Sequence, residues 1–352
     1  MVLIVSVKKE LYMTAPNLFK NINNLQREKL TKLIDKKEKN QHSEKLKVID
    51  LFAGIGGIRY GFENAFKEDI EFVFSSEIDS NAQKTYYKNF QELPFGDITQ
   101  IDEKEISSHD IILAGFPCQA FSIAGHRKGF EDTRGTLFFD VARIAKYHKP
   151  KVLFLENVKG FVGHDKGQTF QVVKETLKEM GYKVYAEVLN SKDYGVAQNR
   201  ERIYIVAFLN NDVKFKFPEK IELNKTIHDF LEDEVEENYY YNGKPLYERI
   251  KDDVTNKDTV YQWRRQYVRE NKNRVCPTLT ANMGTGGHNV PIIKDDKGIR
   301  KLTPRECANF QGFSEKFEFP KELALSHRYK QVGNSVTIAV IESIAKEIKN
   351  VL

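Results

Sequence analysis

The order of apolar runs predicts an α/β protein: a doubly wound, mostly parallel sheet of the Rossmann-like kind, joined to a smaller, irregular second domain. Three observations carry this. Between Lys47 and Phe208, short apolar runs alternate with stretches of helical periodicity, the spacing of βαβ units whose sheet is covered on both faces. The first run ends in the glycine-rich Phe52-Ala-Gly-Ile-Gly-Gly57, where the backbone can approach a ligand at the carboxyl edge of a sheet. After about Asp212 the alternation stops and an aromatic, charged segment takes over.

Taken in order, strands are expected at 48–52, 70–75, 110–114, 151–155, 182–186 and 203–208, with helices over 58–66, 80–90, 136–147 and 169–180. The last residues, with Ile338, Val340, Ile341, Ile344 and Ile348 at helical spacing, suit a helix packed back on the sheet. Leu18, Ile22, Leu25, Leu30, Leu33 and Ile34 set residues 1–45 apart as an N-terminal helical extension. The expected organisation is therefore that extension, a main domain of 46–212 with 325–352, and a second domain of 213–324.

The chain has 352 residues, 40% hydrophobic and 30% charged, which excludes a disordered class. No apolar run reaches the roughly 18–20 residues needed to cross a bilayer. The cysteines, Cys118, Cys276 and Cys307, have no paired spacing, so neither a disulfide framework nor a metal site is expected. A cytoplasmic monomer is the expectation. The net charge of +5 permits a polyanionic partner without demanding one.

The glycine loop departs from a dinucleotide fingerprint because Arg59 stands where the third glycine belongs. Glu77 follows the second strand, where a carboxylate can hold both ribose hydroxyls. Asp97 lies near the next strand end and can accept from an adenine amino group, although either carboxylate also reads as a turn cap. Together they favour an adenosine cofactor without a pyrophosphate: S-adenosylmethionine.

Cys118 lies in Ala114-Gly-Phe-Pro-Cys-Gln-Ala-Phe-Ser122, just past the strand end, in a turn rather than on an apolar face. That placement suits a nucleophile. Pro117 stiffens its approach, and Gln119 and Ser122 bring hydrogen-bonding groups. Glu156 in Leu155-Glu-Asn-Val158 can reach the same crevice, and Arg200 and Arg202 in Gln198-Asn-Arg-Glu-Arg202 can point inward. A thiolate, a protonatable carboxyl, guanidinium groups and a methyl donor meet one need: adding sulfur to C6 of cytosine makes C5 enamine-like, and a carboxyl group at N3 and the exocyclic amine stabilises the adduct. Cys276 and Cys307 read as packing residues.

These motifs, in this order, resemble the cytosine-C5 DNA methyltransferases of bacterial restriction-modification systems over residues 46–350. Arg305-Glu-Cys-Ala308 with Gln311-Gly-Phe313, and Gly333-Asn-Ser-Val336, complete the likeness. The resemblance implies a target-recognition domain beside the S-adenosylmethionine domain, and protection of host DNA from a companion nuclease. It implies Cys118 as nucleophile, Glu156 on N3 and N4, and Arg200 supporting the base. It assigns Phe52, Glu77, Ile78, Asp97 and Asn334 to the cofactor pocket, where Gly54, Gly56, Ile98, Pro117 and Ser335 are also expected. Many relatives carry tryptophan where Ile78 stands, so adenine is expected to meet aliphatic contact and Phe52.

The basic, glycine-bearing stretch from Gly125 through Arg127 to Arg134 resembles the family's loop that closes over double-stranded DNA. In the second domain, 261–269 interleaves aromatic and basic groups, so Arg264 and Arg265 are expected at phosphates; it also reads as an amphipathic helix leading to a hairpin. Thr278, Thr280 and Gly286 offer small polar groups to groove edges. Similarity of this lobe to relatives with GC-flanked sites implies a short palindrome such as GCNGC. The alternatives are a tRNA cytosine-C5 methyltransferase with the same catalytic parts, and an added DNA-binding regulator in residues 1–45.

Overall fold

The computed structural model describes residues 45–117, 137–285 and 289–352, and Leu46–Leu352 form one compact unit. The expected helices of the N-terminal extension lie outside the described residues. The main sheet contains β1 (Leu46–Leu51), β2 (Ile70–Ser76), β3 (Ile111–Ala114), β4 (Val152–Val158), β5 (Lys183–Asn190) and β7 (Glu201–Phe208), with the two-residue β6 (Gln198–Asn199) just before β7. Its order is β2-β1-β3-β4-β7-β5. β1 pairs in parallel with β2 and β3, and β3 with β4. β7 runs antiparallel to both β4 and β5.

Apolar residues alternate between two layers, which is why both sheet faces are covered. Val48, Ile111, Leu113, Val152 and Phe154 face one core. Ile49, Leu51, Ile112, Ala114, Leu153 and Leu155 face the other. On the first face lie α1 (Gly57–Phe66) and the C-terminal α8 (Ile338–Val351); Phe62 and Phe66 join Ile341, Ile344 and Ile348 in the same cluster. α3 (Leu137–His148) and α4 (Gln168–Glu179) cover the second. Each fully buried large aliphatic side chain contributes roughly 1.5–3 kcal/mol.

The strands β4 and β5 reach beyond the apolar runs that announce them, to Val158 and Asn190. Both are paired with β7 along nearly its whole length, and ladder hydrogen bonds hold polar residues such as Glu156 and Asn157 in extended backbone. One polar residue of the sheet is paired on both sides through its backbone yet has no partner for its side chain. Asp50 on β1 is 1% exposed, and neither carboxylate oxygen has a hydrogen-bond partner. Burial, opposed by the Arg59 charge and helped by Glu92, Glu77 and Glu63, pushes its pKa to about 8.

After β7 the chain builds a second sheet of β8 (Tyr261–Trp263), β9 (Val268–Glu270), β11 (Ile292–Lys294) and β12 (Ile299–Lys301), in the order β12-β11-β8-β9. The short helix α5 (Tyr247–Ile250) supplies Ile250 to its small core, with Val254, Tyr261, Trp263, Ile292 and Ile299. The segment 261–269 is a hairpin itself, not a helix leading into one. Tyr261 and Trp263 alternate inward around the half-buried Gln262, a period of two that aromatic side chains favour.

β10 (Cys276–Pro277) pairs in parallel with β6, a two-stranded sheet of its own that brings the chain back beside the start of β7. A third apolar cluster spans this seam: Ile55, Val196 and Ala197 pack with Phe230, Leu279, Phe310 and Val332. Helices close it: α2 (Ser80–Phe90) through Ala82, α6 (Pro304–Asn309) through Cys307 and Ala308, α7 (Leu325–Asn334) through Tyr329, and the start of α8 through Ile338. Cys276 and Cys307 are fully buried here, and burial pushes both thiols up. Among the described residues no helix is long and apolar enough to cross a membrane.

Candidate active site

β1 neighbours β2 on one side and β3 on the other, so the strand order reverses there, and the carboxyl ends of such strands frame a crevice. A cleft of about 460 Å³ opens at that point. The turn after β1 builds its floor. Phe52 and Gly54 have φ of 56° and 57°, and the Gly54 amide donates to Glu77 Oε2 at 2.8 Å. The other Glu77 oxygen accepts from the Asp79 amide at 2.8 Å. Both carboxylate oxygens of Glu77 are thus oriented by backbone, while burial pushes its pKa up.

Phe52, Gly54, Glu77, Ile78 and Pro117 all line this cleft, as do Asn334 and Ser335 from the end of α7. Ile78 is 71% exposed, an apolar plate at the mouth. Gly56, Asp97 and Ile98 are not among the lining residues. Gly56 is left-handed at φ 82°, and a side chain there would strike the Phe90 ring. Asp97 accepts from the Thr99 amide at 3.0 Å and its hydroxyl at 2.8 Å, capping a short turn. Ile98 sits in the core, 3% exposed.

Glu156, on β4, faces the same cleft. Arg202 of β7 lies across the strand pair, its Nε 3.0 Å from Glu156 Oε1. Burial pushes the Glu156 carboxyl up, and the charges of Arg202 and Arg200 oppose this. Arg200 is 2% exposed and does something different. Its guanidinium donates to the carbonyls of Leu279 at 2.7 Å, Gly333 at 3.2 Å and Ser335. It thereby ties the segment after β10 to the cleft wall. Gly333 permits this approach, since a Cβ there would collide with the Thr280 backbone. Burial lowers the Arg200 pKa to about 9, and its Nε has no partner.

Cys118, Gln119, Ser122, Arg127 and Arg134 lie outside the described residues, as does Gly286. The chain is described up to Pro117, and the residue anchoring that approach was not singled out from sequence. Asn157, buried beside Glu156, donates its amide to the Phe116 carbonyl at 2.8 Å. Its position next to Glu156 was the available signal. Sequence reading also passed over the rim pair Lys330–Asp79 at 2.9 Å, which joins α7 to the α2 turn. Among the described residues no cluster of three or more His, Cys, Asp or Glu is arranged to hold a metal ion.

Arg264 and Arg265 are exposed at the β8–β9 turn. Thr278 and Thr280 flank Leu279, and the Thr278 hydroxyl donates to the Asn199 carbonyl at 2.6 Å. These residues do not line the main cleft. Arg264, Thr278 and Thr280 line a separate polar cleft of about 360 Å³ beside the second sheet.

The family described as C-5 cytosine-specific DNA methylase matches residues 46–350. The chain is 51% identical over 312 residues to the type II methyltransferase M.Bsp6I of Bacillus sp. (strain RFL6), covering 86% of this chain and 98% of that one. It is 47% identical over 311 residues to M.NlaX of Neisseria lactamica, covering 87% and 97%. To M.HhaI of Haemophilus parahaemolyticus it is 45% identical over 320 residues, covering 86% and 94%. Among solved structures, the S. pombe Dnmt2 methyltransferase shares the fold with a TM-score of 0.70 at 21% identity, over 87% of this chain and 99% of that one.

Proposed function

Because the chain belongs to the C-5 cytosine-specific DNA methylase family and is a DNA (cytosine-5)-methyltransferase, we propose that it uses S-adenosylmethionine to methylate a cytosine rotated out of duplex DNA, through a covalent bond between Cys118 and C6. The observation carrying this is the Glu156–Arg202 pair at 3.0 Å, on the cleft that Pro117, one residue before Cys118, also lines.

The cleft has features that fit the cofactor. Gly54 leaves open space where a side chain would stand, Glu77 presents an oriented carboxylate, and Ile78 offers an uncovered apolar surface. Glu77 would hold the ribose hydroxyls, Phe52 and Ile78 would pack on adenine, and Asn334 and Ser335 would close the opposite wall. When bound, S-adenosylmethionine supplies the electrophilic methyl group that C5 takes up.

The protein's own groups prepare that carbon. Rotating a base out of the stack costs a few kcal/mol, and the cleft receives it. Cys118 adds as thiolate to C6; the ring electrons shift toward N3, where the Glu156 carboxyl donates a proton. Arg202 fixes the orientation of that carboxyl. Asn157 holds the Phe116 carbonyl and so positions the approach to Cys118. After methyl transfer, water takes the C5 proton, the C5–C6 double bond re-forms as the thiolate leaves C6, and N3 returns its proton to Glu156. We further infer that this modification protects host DNA from a companion restriction enzyme, in keeping with the type II methyltransferases it resembles.

A tritiated-methyl transfer assay with duplex DNA and with tRNA tests this reading. Label is expected in duplex DNA and absent with Cys118→Ala, and a duplex carrying 5-fluorocytosine is expected to trap a peptide containing Cys118. Transfer by Cys118→Ala at the unaltered rate would refute the covalent step, and transfer to tRNA alone would replace the substrate. Bisulfite sequencing of modified DNA maps the target site.

A further inference from the structure

The second cleft has a chemistry opposite to that of the first. Its lining includes Asn199, Gln262, Arg264, Arg269, Asn282 and Asn289, and no carboxylate. A neighbouring cleft of about 490 Å³ shares Arg264, Asn282 and Asn289. Elsewhere, Arg59, Arg143, Arg202 and Arg300 are paired with carboxylates. Among the described residues no carboxylate pairs with Arg264 or Arg269. An unneutralised pair of guanidinium groups facing a carboxylate-free cleft is poised for an anionic or acceptor-rich partner.

Side-chain placement narrows the partner. Gln262 and Arg269 are cross-strand partners in the β8–β9 hairpin. Arg264 follows two residues after Gln262, and its Nη2 donates to Gln262 Oε1 at 3.2 Å. That bond occupies one lone pair of the Gln262 oxygen, leaves its amide N–H groups without a protein partner among the described residues, and helps to hold the Arg264 fork. The face is therefore rich in donors. In the major groove guanine presents only acceptors, N7 and O6, whereas adenine presents a donor beside an acceptor and cytosine a donor. A phosphate would need the charge but neither the carboxamides nor a guanidinium held by one.

The position of the cleft follows from β6 and β10. Asn199 lines the second cleft, and the next residue, Arg200, lines the cofactor cleft.

We propose that Arg264, pre-oriented by Gln262, reads a guanine flanking the target cytosine, with Arg269 completing the donor face. This rests on the reading of the chain as a methyltransferase acting on duplex DNA. The test uses the full chain on a library of duplexes randomised around one cytosine, read both by binding selection and by bisulfite sequencing. Arg264→Ala is expected to relax discrimination at one guanine position by about 10–100-fold while leaving preferences elsewhere intact. Gln262→Ala is expected to relax the same position less, and Arg264→Lys to fail to restore it. Uniform weakening across all sequences, with a shallower salt dependence, would make Arg264 a phosphate contact and overturn the proposal; so would relaxation at a base other than guanine. A wild-type chain that selects sequences without methylating them would instead overturn the methyltransferase reading, and the binding selection would still decide the role of Arg264.

Discussion

The two clefts of this molecule handle charge in opposite ways. In the first, every charged group is held: Glu77 by two backbone amides, Glu156 by Arg202, and Arg200 by three carbonyls. In the second, Arg264 and Arg269 stand exposed, with no carboxylate partner among the described residues. Chemistry on a base demands groups whose orientation is fixed before the reaction, because reorganising them would raise the barrier. Reading a sequence instead rewards charge left without a carboxylate until the correct base arrives, as at Arg264, which the neutral Gln262 alone orients, and penalises the wrong base through unmet hydrogen bonds.

The sharpest break in this comparison is at Glu156. Glu156→Gln is expected to lower single-turnover methyl transfer by about 10²–10³-fold, with DNA binding retained in a gel shift. Burial raises the Glu156 pKa, so the protonated carboxyl persists to higher pH than an ordinary glutamate. Turnover limited by this proton should fall as pH rises through that raised pKa, and Glu156→Gln should abolish that limb of the profile.

Arg200 tests whether a held charge in the first cleft serves the architecture. Arg200→Ala removes the donor of the buried Leu279 and Gly333 carbonyls and one of the donors of the Ser335 carbonyl, and is expected to cost at least about 2 kcal/mol, read from the urea midpoint. Asp50 is the exception, a buried carboxyl held by nothing. Its folded pKa of about 8 lies above its ordinary value of 3.8. The folded chain therefore keeps a proton that the unfolded chain releases, and stability falls as pH rises between those values, then levels off. Asp50→Asn is expected to flatten that slope and to raise stability at pH 8 by about 1–3 kcal/mol, measured by chemical denaturation across pH.

Smaller effects sharpen the contrast. Glu77→Gln should raise KM for S-adenosylmethionine about tenfold with kcat little changed, the pattern of lost uniform binding. Arg265→Ala, at the exposed hairpin tip, should weaken DNA binding only a few-fold, equally for all sequences, and reduce the salt slope by about one. A sequence-selective loss at Arg265 would erase the distinction drawn between it and Arg264.

Much of the first cleft was legible because it follows local rules. Glycines after a strand, a carboxylate after the next strand, and Glu156 in a polar step within an apolar run each mark a sheet end. Gly56 and Asp97 are not among that cleft's lining residues. Each has a motif position that fits a ligand, yet Gly56 is turned to Phe90 and Asp97 caps its own turn. The partner that fixes such a residue is as near as Thr99 for Asp97 and as far as Phe90 for Gly56. The hairpin at 261–269 was harder to read because short aromatic and charged runs satisfy both periodicities.

The sequence alone determined the alternation of strands and helices, the glycine turn, and the residue types of the candidate motifs, because apolar period and backbone permissiveness act over a few neighbouring residues. Tertiary structure decided that Arg200 clasps carbonyls while Arg202 meets Glu156, that Asn157 anchors Phe116, and that Asn199 and Arg200 serve different clefts. Those outcomes depend on burial and on hydrogen bonds between segments up to 135 residues apart, and no local pattern encodes which donor will find which acceptor.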